Sequence, residues 1–263
     1  MKWSLIDKVS ESAKKPETPS NTFLYEASPF RFPSSLPNLS ATQIIRKRRS
    51  AVDMDGITSI STDQFFCMLD KTIPRRCHSP FNVELGESNI HLVLFVHRVD
   101  GIAPGVYFFV RNRRDFSELK ALCKSNFLWK PLDDTLPLFL LKEVDCRHEA
   151  VLVSCQQNIA GDGAFSLGMV ARFKDTIQNS PYLYRHLFWE TGLIGQVLYL
   201  EAEAHGIRST GIGCFFDDPV HDMLGLSDRT YQSLYHFTVG GAIEDVRLTT
   251  LAPYYHLDSL LES

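Results

Sequence analysis

The sequence predicts an α+β fold, a mainly antiparallel sheet with helices packed on it. Three observations lead there. Apolar runs at strand spacing and at helix spacing are mixed, without the strict alternation of a parallel sheet. Residues 90–110 read as two strands joined by a turn. One long helical pattern, 182–205, is followed by a last strand at 233–239. The chain of 263 residues, 44% of them hydrophobic, is long enough to bury a full core.

The elements follow in order. Residues 1–39 read as an extended, proline-rich arm or linker, because Pro16, Pro19, Pro29, Pro33 and Pro37 remove backbone donors and restrict their predecessors. Phe23, Leu24, Tyr25, Phe30 and Phe32 are too apolar for a free tail, so this arm is expected to lie against a surface. A domain spanning 40–263 then begins. Ser40 can cap a helix carrying Ile44 and Ile45 that ends at the basic run Arg46 to Arg49. Ser61 to Gln64 fits a capping box, followed at helical spacing by Phe65, Phe66, Met68, Leu69 and Ile73. Ile90 to Val99 is dense in β-branched and aromatic residues. Asp100-Gly101 and Pro104-Gly105 bound the turn, and Val106 to Val110 returns. Helices are expected over 115–124 and 146–159, and a buried strand over 164–173. The long helix should run from Tyr182 to His205 with Gly206 as its C-cap. A glycine-containing loop (209–214), a short helix (219–225) and the strand from Ser233 to Val239 complete the chain.

Composition narrows the function. A net charge of -4 with 22% charged residues leaves no polyanion-binding surface, so nucleic acid is not an expected partner. No apolar stretch is long enough to cross a bilayer, and the N-terminus lacks the apolar core of a signal peptide. A cytoplasmic, reducing compartment is expected. The six cysteines are scattered singly without a CxxC pair, so a disulfide framework is not expected, and buried thiols are.

Several motifs are incomplete. Gly211-Ile212-Gly213 is a lone GxG, short of a dinucleotide fingerprint, and there is no Walker A sequence or GxSxG. Cys155 falls in an apolar helix with no basic partner. Glu201 and His205 are four apart on one helix but lack a third ligand, so no metal is expected. Asp217, Asp218 and His221 read as a helix start. Arg48-Arg49-Ser50 is more informative. Two guanidinium groups beside a hydroxyl suit a phosphate dianion, although a solvated helix end fits the same residues. Arg247 could join them only if the fold brings it back.

These pieces stand in a familiar order. Arg48-Arg49-Ser50 follows the first core helix. Tyr184 to Gly192 leads into the long helix, which ends in Glu201 to Ile207. Thr210 to Asp218, Leu224-Gly225-Leu226 and Tyr235 to Gly241 come after it. The series resembles the nitroreductase superfamily, in particular its SagB/ThcOx-type dehydrogenase branch. Gly101 to Tyr107 also resembles that branch's hairpin, and the likeness spans about 40–250.

The resemblance implies a nitroreductase-like sandwich that dimerises around FMN. It further implies a ping-pong oxidoreductase with NAD(P)H or an organic hydride donor and a small-molecule acceptor. Arg48, Arg49 and Ser50 would hold the phosphate with Arg247. Gly211, Ile212, Gly213 and Cys214 would face the flavin ring through their backbone, so no catalytic side chain is implied. The proline-rich entry is similar to the second half of tandem-domain members, which implies pairing with another copy or with a second nitroreductase-like domain. Two departures stand out. Val52 takes a position usually held by Lys or Arg, and His78 to Asn82 matches poorly a segment that normally meets the ring. They leave open an alternative, a non-catalytic partner or scaffold half.

Overall fold

The computed structural model describes residues 3, 5–17, 25–26, 28–32, 39–76, 78–83 and 85–257. Among them one antiparallel sheet contains β1 (Ile90–Val96), β2 (Gly105–Phe109), β3 (Lys130–Pro131), β4 (Leu138–Glu143), β5 (Phe165–Arg172), β6 (Arg208–Ile212) and β7 (Tyr231–Gly240). Its order is β3-β4-β2-β1-β5-β7-β6. The helices are α1 (Ile6–Ser12), α2 (Ala41–Lys47), α3 (Thr62–Lys71), α4 (Phe116–Leu122), α5 (Arg147–Val153), α6 (Ile159–Asp162), α7 (Lys174–Asn179), α8 (Leu183–Ala204) and α9 (Asp217–Leu224).

Strand period divides the core in two. Leu92, Leu94 and Val96 of β1 point to one face with Leu167, Met169 and Phe237. There they meet Phe65 and Met68 of α3 and Leu187, Ile194 and Leu198 of α8. Val93 and Phe95 point to the other face with Phe108, Val170 and Tyr231, against Leu119 of α4, Val153 of α5, Ala160 of α6 and Leu224 of α9. Every residue of β1 is buried, which is why its sequence reads as a continuous apolar run. The result is three layers, with the sheet in the middle.

Most expected elements form where the residues place them. Ser40 with Gln43 and Ser61 with Gln64 make capping boxes at the starts of α2 and α3. Four readings need correction. Residues 208–212 form an edge strand rather than a loop, because their backbone pairs with β7 (Gly211 opposite Phe237). Residues 146–159 are two helices, broken where Cys155 and Gln156 both adopt φ 59°. The strands β3 and β4 and the helix α7 carried no sequence signal strong enough to be read. Finally, the arm is not extended throughout, since α1 is helical and has no buried residue.

Further along, Tyr25, Arg31 and Phe32 lie against later parts of the chain. The Tyr25 hydroxyl donates to the Gly86 carbonyl at 2.6 Å, the Arg31 amide donates to Asp70 Oδ2 at 2.7 Å, and Phe32 packs edge-on against Phe66. Phe23 and Leu24 fall outside the described residues.

A buried charge network ties α8 to the sheet. Arg111 Nη1 reaches Glu190 Oε1 at 2.6 Å and the Ile90 carbonyl at 2.8 Å, while Nε and Nη2 donate to the Thr72 carbonyl. Glu190 also accepts from the Ser88 hydroxyl and the Asn89 amide. Breaking a buried pair strands its partner's charge. Glu190→Ala is therefore expected to destabilise the chain by about 3–5 kcal/mol, read from urea denaturation; a loss below about 1 kcal/mol would show the network to be dispensable.

Candidate functional site

Two segments far apart in sequence meet at the open edge of the sheet. The chain leaving α2 runs alongside β6: Ser50 forms a parallel bridge with Ser209, and the Ala51 amide donates to the Ser209 carbonyl at 3.0 Å. Tyr199, on α8, fastens the junction. Its hydroxyl lies 3.0 Å from Ser50 Oγ and accepts from the Gly211 amide at 2.8 Å. The Arg48 guanidinium lies over its ring, 4.9 Å from the centroid. One phenol thus binds the Arg-Arg-Ser motif to the Gly-Ile-Gly segment.

The local charge is cationic. Arg49 folds back onto backbone, donating to the carbonyls of Arg46 and Arg48 at 2.9 Å and of Leu251 at 3.2 Å. Glu203, Glu244 and Asp245 pair with Lys47, Arg208 and Arg247 instead. Among the described residues Arg48 and Arg49 make no ion pair. Arg247 is placed differently from its two expected companions. Its segment does return to the end of α2, as the Leu251 carbonyl shows, but its exposed guanidinium is held by Asp245 at 2.7 and 2.9 Å.

Glycine at 211 leaves the room that the Tyr235 side chain occupies. A Cβ there would stand 2.2 Å from the Tyr235 hydroxyl. Gly213 is different: it is exposed, and the nearest atom to a Cβ would be a Tyr235 ring carbon at 3.9 Å. It opens onto a cavity of 590 Å³ lined also by Tyr184, Phe188, Phe215, Asp217 and Tyr235. Ile212 is buried beneath the strand, so only its backbone belongs to this edge.

Cys214 is not a free thiol. It is disulfide-bonded to Cys155, with the Cα atoms 5.6 Å apart, which corrects the expectation of unpaired cysteines. Read as one helix, residues 146–159 gave no reason for Cys155 to reach β6; the left-handed turn at 155–156 supplies it. The loop is further fixed by the Phe216 amide on the Val153 carbonyl (2.8 Å) and the Gln157 carboxamide on the Cys214 carbonyl (3.1 Å).

The Glu201–His205 pair does gain a third neighbour, Cys67, within 4.8 Å. The chain supplies its own cation there, with Lys71 Nζ 2.7 Å from Glu201.

Tyr199, which no motif marked, proves central. Tyr235 and Phe215 fall in segments that carried the resemblance, without a role of their own. Phe215 stacks on His236 with centroids 4.7 Å apart, and His236 is hydrogen-bonded to Ser154 and Ser233.

Residues 144–241 match the model of the nitroreductase family. No curated protein matches the chain. A putative nitroreductase from Anabaena variabilis superposes with a TM-score of 0.57 at 22% identity, over 86% of this chain and 45% of its own. This chain thus spans less than half the length of that protein. A putative nitroreductase from Ralstonia eutropha gives 0.55 at 15% identity, over 88% and 100%. A chain of the Escherichia coli microcin synthetase complex gives 0.56 at 16% identity, over 91% and 82%.

Two outcomes test this geometry. Tyr199→Phe keeps the ring under Arg48 but leaves the Gly211 amide without its acceptor; it is expected to cost about 1–3 kcal/mol in denaturant unfolding, and no loss would deny the phenol its fastening role. The second concerns pH. Burial pushes His97 and His236 down to about 4. An unfolded histidine takes a proton near 6.5, so between about 6.5 and 4 the unfolded chain binds more protons than the folded one. Stability is expected to be full above about 6.5 and to fall as the pH drops towards 4. Melting temperatures across that range check it, with a shallower fall in His97→Gln. The chain has the nitroreductase fold, and within it residues 144–241 are similar to the nitroreductase family.

Proposed function

We propose that the chain is an FMN-dependent oxidoreductase of the nitroreductase type, of the SagB/ThcOx branch. Arg48, Arg49 and Ser50 take the phosphate, and the backbone of Gly211 to Cys214 takes the ring. The observation that carries this reading is the Tyr199 hydroxyl, which holds Ser50 and Gly211 to one point.

The residues present fit such a group. Arg48 and Arg49 offer two guanidinium groups not neutralised by carboxylates among the described residues, beside the Ser50 hydroxyl. Ser209 Oγ, next to Ser50, is buried without a hydrogen-bond partner. Gly213 leaves its backbone open to a flat ligand. FMN, when bound, accepts and returns a hydride. The chain's own part is to orient it and to offer amides near the ring, where they stabilise negative charge without reorganising. NAD(P)H is the proposed donor and a small molecule the acceptor. Arg247 is a phosphate ligand in this reading only after it leaves Asp245.

Pairing with another copy or a second nitroreductase-like domain is part of the proposal. Tyr184, Phe188 and Trp189 are exposed together near the start of α8, an apolar group suited to burial. Residues 1–39 act as the arm of the 40–263 domain, in a cytoplasmic setting. One observation favours a second reading, a non-catalytic partner half. Val52 is 55% exposed where the resemblance puts a cation, so nothing at that position balances charge on a reduced ring.

Replacing Arg48 and Arg49 by Ala removes charge-assisted bonds of about 1.5–3 kcal/mol each. FMN binding, followed by quenching of its fluorescence, is expected to weaken at least about tenfold. Unchanged affinity in a folded double variant would refute the phosphate assignment. Anaerobic addition of NADPH separates the two readings: bleaching of bound flavin supports the enzyme, and a bound flavin that never bleaches supports the partner half.

A further inference from the structure

The disulfide beside Gly213 differs from every other described cysteine. Cys67, Cys123 and Cys146 are buried, and burial pushes their thiols up to about 11, 12 and 12. They are withdrawn from thiolate chemistry. Cys214 is exposed and Cys155 half-buried, so the bond between them is open to attack from solvent.

The bond is not what holds the domain together. Both faces of the sheet are filled by continuous apolar clusters, and a chain of this size has no need of a covalent staple. The two turns it links are already joined by the Phe216–Val153 and Gln157–Cys214 hydrogen bonds. What the bond does hold is a strained turn. Cys155 and Gln156 both adopt φ 59°, a conformation that L residues with side chains avoid. Opening the bond frees that turn to relax. Exposed or strained disulfides are the ones that exchange readily.

We propose that Cys155–Cys214 is a redox-active disulfide, a dithiol–disulfide exchange site whose reductant is a dithiol able to close its own unstrained cyclic disulfide. One thiolate of the donor attacks Sγ of Cys214, the more exposed residue of the two. The Cys155–Cys214 bond breaks, Cys155 leaves as a thiolate and takes a proton, and donor and Cys214 share a mixed disulfide. The donor's second thiol, as thiolate, then attacks its own bonded sulfur and releases Cys214, which also takes a proton. The protein has gained two electrons and two protons; the donor leaves as its disulfide. Reduction removes the one covalent tie between the 213–216 loop and the 154–157 turn, so the exchange acts on the segment that opens the cavity at Gly213.

The test uses the full chain and needs no flavin, so it succeeds or fails independently of the proposed cofactor. Air-oxidised protein is equilibrated with mixtures of reduced and oxidised dithiothreitol, quenched, unfolded, alkylated and mapped by mass spectrometry. Two added labels are expected, on Cys155 and Cys214 together, in one reversible two-electron transition with the circular dichroism unchanged. Amides of 211–216 are expected to exchange hydrogen several-fold faster in the reduced form. Cys155→Ser should form a mixed disulfide with glutathione at Cys214 several-fold faster than Cys214→Ser does at Cys155, which tests the order of attack. Labels on both cysteines before any reductant, or reduction only with loss of the fold, would overturn the proposal. So would equal exchange at 211–216 in the two forms.

Discussion

The rest of the structure depends on one constraint: the central strands are buried on both faces. Both β1 and β5 have apolar neighbours above and below, so no reactive group can stand over the middle of the sheet without displacing core. Chemistry is driven to the edges and to the chain that leaves them. The edge strand β6 and the exit from α2 provide such a place, and Ser50, Gly211 and Gly213 gather there. The same burial makes α8 long and fixed, because its apolar side must cover the sheet across its width. Tyr199 is carried to the edge by that helix, with Arg111 and Glu190 anchoring the other part of it.

Electrostatics reinforces the division between core and edge. Inside, charges are matched, Arg111 with Glu190 and Arg75 with Asp70. Each pair sits where an unmatched charge would be costly. At the edge the acidic groups are used elsewhere, and Arg48 lies on an aromatic face instead of a carboxylate. An arginine stacked in this way keeps its charge available while its position is set. That is a suitable state for meeting an anion, since little side-chain freedom remains to be lost on binding.

The sequence made the fold legible wherever a local rule decided the outcome. The Ser40 cap placed α2, a capping box placed α3, β-branched density placed β1, and apolar spacing placed α8. It was silent where pairing decided. β6 is short, half polar and glycine-containing, so its strand character comes from β7 and not from its own residues. Likewise β4 is recognisable only beside β2. The site was half legible. Arg48-Arg49-Ser50 and Gly211 to Cys214 could be picked out in order, and they do come together. Tyr199 could not, because a tyrosine among leucines on a buried helix looks like core. The Cys155 partner was hidden by a helix pattern that the backbone breaks for reasons no propensity records.

These fastenings have a common consequence for the segment 208–216. The ladder to β7 fixes its first part, the Tyr199 hydroxyl holds Gly211, and hydrogen bonds to the 153–157 turn hold its end. A segment held this way presents its backbone in a set geometry before anything binds, and preorganised amides are worth more than mobile ones because none must be reoriented in the act. Three of these four ties are non-covalent and persist as long as the fold does. The fourth, the disulfide at Cys214, is the one that chemistry can open without unfolding the chain. It lies next to Gly213, which is exposed. The stiffness that the fold imposes on this edge is therefore adjustable at a single point, the bond between Cys155 and the exposed residue Cys214.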